Sequence, residues 1–248
     1  MNDRKRSSES LPCYLSATAD CSYLQARQSR SLFIDPQLPM SSPLYGLLLE
    51  QGFRRSGNLV YRHRCDRCQR CIPLRLPVAR FAPRRRQRRV WKRWQEVEVI
   101  DRGTDFDSEH FQLYQDYIES RHPDGGMANP DPEQYRQFLT SDWCATRFLE
   151  FRLRGELQAV AVTDRVPQGL SAIYTFYRPD RQSMSPGVFT LLWQIREAQR
   201  LGLSWLYLGF WIAGCDKMEY KAGYRPLQAL IDGQWREFAN GDALPVLS

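Results

Sequence analysis

LSAIYTFYRPDRQSMSPGVFTLLWQIREAQRLGLSWLYLGFWI, residues 170–212, decides the fold of this 248-residue chain. Its first nine residues read as a strand. Ser185 and Pro186 then open a helix that Gly202 ends. SWLYLGFWI, 204–212, is almost unbroken in its apolar character, as a strand buried on both faces should be. Upstream, RFLEFRL (147–153) and ELQAVAVTDRV (156–166) read as two more strands. Turns at Arg154-Gly155 and Pro167-Gln168-Gly169 separate the three and make them antiparallel neighbours. Strands in a run, then a helix, then a buried strand predict an α+β domain.

That order is similar to the core of the GCN5-related acyltransferases. It predicts an acyltransferase-like domain over 96–248, a smaller basic domain holding most of the cysteines over 21–95, and a flexible tail over 1–20. The glycine-rich loop with which CoA-dependent members enter the helix has no counterpart here: MSPG, 184–187, offers one glycine. The acyl donor is therefore expected not to be CoA.

The charge is divided. Residues 1–93 carry 20 Lys/Arg against 6 Asp/Glu, and residues 94–248 carry 15 against 22. A basic first half beside an acidic second half predicts a polyanionic partner for the first. PRRRQRRVWKRW, 83–94, concentrates that charge. Read as a helix, it puts Arg84, Arg88 and Lys92 on one face with Arg85, Arg89 and Arg93 beside them, while Val90 and Trp94 turn inward. No acidic residue interleaves, so Arg84, Arg85, Arg86, Arg88, Arg89 and Lys92 are expected to contact nucleic-acid phosphates. Trp91 and Trp94 can stack on bases or pack inside.

The first half also holds SLFI (31–34) as a short strand and SPLYGLLLEQ (42–51) as a helix. IPLRLPVAR, 72–80, reads as an edge strand because of its prolines. No run approaches the ~20 apolar residues of a membrane helix. The N-terminus has no apolar stretch of the signal-peptide kind, so a cytoplasmic protein with reduced thiols is expected. CDRCQRC, 65–71, spaces three cysteines evenly. With Cys21, or with His63, the thiols Cys65, Cys68 and Cys71 can complete a zinc or iron–sulfur site, or they can be inert buried thiols. Past the buried strand, Tyr220 and Lys221 can position an acyl group or carry a proton. Cys215 as a nucleophile lacks a histidine at any spacing that would activate it. HPDGGMANP, 122–130, is a tight loop whose His122 and Asp124 can orient a substrate.

CSYLQARQSRSLFID (21–35), RRRQRRVWKRW (84–94), SRHPDGGM (120–127) and YLGFWIAGCDKMEYKAGYRPLQAL (207–230), in this order and with the cysteine run between them, carry a wider resemblance. The chain resembles the arginyl-tRNA–protein transferase family in its bacterial leucyl-transferring branch. The resemblance implies transfer of an amino acid from aminoacyl-tRNA to the N-terminal amine of proteins beginning with Asp or Glu. Such tagging marks the product for degradation. Arginine-transferring members hold a metal or iron–sulfur cluster through a Cys-x2-Cys pair and a later adjacent pair. Here Cys21 is followed by Ser22-Tyr23-Leu24, so the first pair is incomplete.

The ester donor is already activated, so the chemistry calls for positioning and needs no cofactor. Asp164 is expected to take the proton, and Tyr174 and Tyr220 to hydrogen-bond the oxyanion or ribose. An acceptor carboxylate calls for an arginine fork: Arg75 first, with Arg54 and Arg55 as alternatives. Phe176, Phe210 and Trp211 are expected to enclose the leucyl side chain. An arginyl donor, a CoA-dependent acetyltransferase and a noncatalytic RNA-binding protein are the competing readings. Charged donors and Asp-starting peptides separate them.

Overall fold

Runs of β-branched, aromatic and leucine side chains in the second half build one wide sheet, and stretches opened by a capping side chain or proline build the helices that cover it. The computed structural model describes residues 10–121 and 129–247. In chain order the strands and helices are β1 (Cys13–Leu15), β2 (Ala19–Asp20), β3 (Gln28–Ser29), β4 (Ser31–Ile34), α1 (Ser42–Glu50), β5 (Arg54–Ser56), β6 (Leu59–His63) and β7 (Ile72–Pro77). Then follow α2 (Arg85–Arg93), β8 (Glu98–Asp101), α3 (Ser108–Arg121), α4 (Pro132–Leu139), β9 (Ala145–Leu153), β10 (Glu156–Val166) and β11 (Gly169–Tyr177). The chain closes with α5 (Pro186–Arg200), β12 (Trp205–Trp211), α6 (Asp216–Glu219), β13 (Leu227–Ile231) and β14 (Gln234–Phe238).

Eight strands form the main sheet in the order β14-β13-β7-β12-β11-β10-β9-β8, and β1-β4-β6-β5 form a smaller one. The three strands and one helix read from residues 147–202 are β9, β10, β11 and α5, and the apolar run after them is β12. All pairings in the main sheet are antiparallel except β11 with β12. Alternation along the strands sorts the core. Phe148, Val160, Val162 and Phe176 face α3 and α4. Leu149, Phe151, Ala159 and Ala161 face α2 and α5. The two alanines leave room there for the large rings of Trp94 and Phe189. A third cluster joins α1, β4 and β6 to Tyr207 of β12.

Three expectations change. Cys13–Leu15, inside the stretch read as a tail, pairs with β4. The strand expected at an edge, β7, lies inside the sheet between β12 and β13. Its prolines are tolerated because Pro73 and Pro77 sit near its ends, while β13 pairs only with Leu74 and Arg75. A boundary at residue 95 is therefore not a boundary of the main sheet, since β7 belongs to it and α2 packs on α5. The loop carrying His122 and Asp124 lies outside the described residues. No helix among the described residues is long and apolar enough to cross a membrane.

Candidate active site

The site is built where two parallel strands part. β11 and β12 pair for only three residues, Gly169–Ser171 against Trp205–Tyr207. Immediately afterwards each strand slips against its other neighbour. β11 carries an unmatched Ile173 opposite β10, and β12 carries an unmatched Leu208 opposite β7. Gly209 takes φ +77°, a left-handed conformation that glycine alone adopts without penalty. The unmatched residues bend the two strands apart and leave backbone groups without the ladder that would have used them.

Two buried cations occupy this wedge. Arg54 of β5, 8% exposed, donates from Nη1 to Ser171 Oγ at 2.9 Å and from Nη2 to the carbonyl of Ala172. Its guanidinium lies over Gly209, where an added Cβ would come within 3.4 Å of Nε. Lys221, in the turn after α6 and also 8% exposed, donates from Nζ to the carbonyl of Phe210 on β12 at 2.6 Å. Each cation thus satisfies a carbonyl that the parted strands leave open. Among the described residues neither has a carboxylate within ion-pair distance. Burial, reinforced by the nearby Arg54 charge, lowers the Lys221 pKa to about 7. The rest of the wedge is aromatic. The Phe210 ring lies 4.7 Å from His63 and 6.2 Å from Tyr61, and Tyr23 meets His63 edge-on at 6.0 Å. Burial lowers the His63 pKa to about 4, so the ring is neutral, and its Nε2 is buried without a hydrogen bond.

Asp164, Arg55, Arg75, Phe176 and Trp211 go elsewhere. Asp164 is fully buried and its two oxygens are held by Arg55 Nε at 2.5 Å and Nη2 at 2.7 Å, with Thr146 Oγ1 at 2.8 Å. It is the counter-ion of Arg55 and not a base open to a substrate. Arg55 Nη2 also reaches Leu139 O and Thr146 Oγ1, and Nη1 donates to Gly57 O at 3.4 Å. Arg75 pairs with Glu50, donates twice to Gln228 Oε1 at 2.8 and 2.9 Å, and is sandwiched between Trp205 and Trp235. No fork is left for an acceptor. Phe176 is fully buried on the α3 and α4 face, in contact with Tyr114. Trp211 packs with Leu191, Leu192 and the α5 side of the sheet. Of the three aromatics expected around a leucyl group, only Phe210 touches the wedge. Tyr174 packs among Tyr114, Tyr117 and Phe138 with Tyr23 and Tyr220 nearby, and burial, then these neighbouring tyrosines, push its pKa up. Tyr220 is 46% exposed beside Lys221.

All seven cysteines are free thiols. Cys65 and Cys68 face each other across a tight turn. Burial, then the neighbouring Cys65, Cys21, Cys68 and Cys215, push the Cys71 thiol up to about 12. Five thiols therefore share one neighbourhood. No three Sγ atoms among Cys21, Cys65, Cys68 and Cys71 lie within 4.8 Å of one another; among the described residues only Asp107, His110 and Glu150 bring three ligand atoms that close. That trio is not suited to a cation either, because Arg102 and Arg152 already bond Glu150. The cysteine geometry does not fit a single zinc ion, and no chemistry is routed through a metal.

α2 is held on α5. Trp94 Nε1 donates to Met184 O at 2.9 Å, and the rings of Trp91 and Trp94 lie 5.2 and 5.5 Å from Phe189. Both tryptophans pack inside, which leaves the arginines as the outward surface. Arg84 reaches Asn240 and Arg88 reaches Pro83 O, but no α2 cation has a carboxylate partner among the described residues.

This arrangement has relatives. The family described as Arginine-tRNA-protein transferase, N terminus, matches residues 19–89, and its C-terminus counterpart matches residues 109–231. The chain belongs to the arginine-tRNA–protein transferase family. Within that transferase family, it is 50% identical over 225 residues to the aspartate/glutamate leucyltransferase of Pseudomonas fluorescens strain Pf0-1, covering 91% of this chain and 96% of that protein. The enzyme of the same name from Chromobacterium violaceum is 47% identical over 228 residues, covering 92% and 94%. Among solved structures, the L-PGS of Bacillus licheniformis matches at 11% identity and a TM-score of 0.46, over 68% of this chain and 50% of that one.

Three features of the wedge were not legible in the sequence. Gly209 sits inside an apolar run where nothing local marks its left-handed conformation. Tyr61 and Tyr23 carry no spacing signal of their own. Arg54 was one of three arginines, and nothing in the sequence separated it from Arg55.

Proposed function

We propose that this chain transfers the leucyl group of leucyl-tRNA to the N-terminal amine of polypeptides that begin with Asp or Glu, so that the new N-terminal leucine marks the product for degradation. The observation that carries this reading is Arg54: a buried guanidinium without a carboxylate, set in the gap between two parting strands. Its two bonds to Ser171 and Ala172 fix the fork, and Nε makes no hydrogen bond among the described residues. An acceptor side-chain carboxylate supplies the missing negative charge and sets the α-amine at the wedge mouth.

The reaction forms one amide bond and breaks one ester bond. The neutral amine attacks the leucyl carbonyl carbon, the ribose oxygen leaves, and the amine proton ends on that oxygen. Lys221 and Tyr220 flank the path of the developing oxyanion. With a pKa lowered to about 7, Lys221 exchanges a proton readily near neutrality. The leucyl side chain is read against Phe210, His63 and Tyr61. These groups also favour leucine over arginine as donor. A cationic arginyl side chain would meet Arg54 and Lys221 with no acid between them.

The test uses purified protein with leucyl-tRNA or arginyl-tRNA and peptides beginning with Asp, Glu or Ala, read by mass spectrometry. Leucine should be added to the first two peptides only. Transfer of arginine, or addition to the Ala peptide at a comparable rate, would refute the reading.

A further inference from the structure

The arginines of α2 do not only form a surface; four of them line a hollow. Arg93 Nη1 donates to Ser183 O at 3.0 Å, and with the Trp94 bond to Met184 O it fastens α2 to the turn that leads into α5. Between α2 and the turn that leads into α5 lies a hollow of about 450 Å³ lined by Arg85, Arg86, Arg89, Val90, Arg93, Ser183 and Ser185. Four guanidinium groups gathered without a carboxylate repel one another, and an anion placed among them removes that cost.

The position of the hollow says which anion. The turn Pro179–Met184 connects the end of β11 to the start of α5. Gly187, in the first turn of α5, lies against the Tyr177 ring, where an added Cβ would be 3.4 Å from Cε1. Tyr177 is the last residue of β11, and its ring meets Tyr117 at 4.9 Å. The end of β11 therefore lies beside the start of α5, next to the turn whose Ser183 and Ser185 line the hollow. The hollow is bounded by α2 on one side and by Ser183 and Ser185 on the other, with the Tyr177 and Tyr117 rings at the nearby end of β11. Aromatic rings beside a cationic groove are the usual partners of single-stranded nucleic acid.

We infer that the hollow between α2 and the turn leading into α5 is a phosphodiester subsite for the single-stranded 3′ end of the tRNA, next to the aminoacylated nucleotide. This inference rests on the donor being an aminoacyl-tRNA, as proposed above.

The experiment compares wild type with an R85A/R89A double variant, using leucyl-tRNA and a leucylated 3′-terminal tetranucleotide as donors. KM should rise about ten- to a hundredfold for both donors, the size expected for losing charge-assisted phosphate contacts, with a smaller change in kcat. R236A, which alters an exposed arginine on β14, should change neither, and circular dichroism should confirm that the double variant is folded. A rise with full-length tRNA alone would assign the hollow to the acceptor stem and overturn the inference. So would an unchanged KM for both donors. Should wild type form no leucyl peptide from either donor, the functional reading fails separately. The subsite is then decided by binding of the uncharged tetranucleotide, which the double variant must weaken if the hollow is its seat.

Discussion

Replacing Arg54 with alanine tests the acceptor site most directly. The guanidinium has two tasks: it bonds Ser171 Oγ and the Ala172 carbonyl inside the wedge, and in the proposed reading it faces the acceptor carboxylate. Losing a hydrogen bond to a charged group costs about 1.5–3 kcal/mol, which is roughly 10- to 150-fold in rate. R54A should therefore lower kcat/KM for Asp- and Glu-starting peptides by that factor. Peptides starting with Asn, which offer no carboxylate, should lose much less. The decisive quantity is the ratio of Asp to Asn peptide, which should fall towards one. R54K keeps the charge but loses the fork, and should retain part of the ratio. Folding has its own term. Ser171 and Ala172 lose a donor, at a cost of about 1–3 kcal/mol in stability, so the rates must be compared below the melting transition of the variant. A folded R54A enzyme that keeps the wild-type preference for Asp over Asn would refute the assignment.

Three further outcomes are expected. D164N leaves Arg55 charged and fully buried without its counter-ion, so urea unfolding should show a loss of about 3–5 kcal/mol; a loss below about 1 kcal/mol would show that the pair is not structural. Lys221 has a folded pKa lowered from 10.5 to about 7. Between these values the unfolded chain binds more protons, so the Lys221 contribution makes stability rise with pH across that window by at most about 1.4 kcal/mol per unit. It is flat below pH 7, where both states are protonated, and K221M should remove the slope. Binding of tRNA should weaken steeply with salt, and neutralising Arg84, Arg85 and Arg88 together should flatten the logarithmic slope by about two to three; an affinity independent of salt would remove α2 from the interface.

The elements that could be read in advance are those whose signal is local. Asp131 caps α4 by accepting from Gln134 N at 2.7 Å, as an Asp-Pro start suggests. The amphipathic placement of Val90 and Trp94 on α2 followed from helical period alone. The candidate site was less legible because its residues are sorted by partners far away in the chain. Arg75 looked like a free fork on an alternating strand, but Glu50 and Gln228 close on it from positions 25 residues before and 153 residues after. Asp164 looked like an available carboxylate until β5 brought Arg55 onto it.

Arg54 and Arg55 give the sharpest contrast. They are adjacent on β5, so the strand's period of two sends them to opposite sides. One lands on the carboxylate of Asp164 and the other in the wedge without one. The order of strands and helices, the cationic helix and the membership in a transferase family are carried by the sequence itself, because periodicity, capping and charge act over a few residues. Which arginine is left with an unanswered charge was decided only by tertiary structure, because a buried ion is defined by what packs against it.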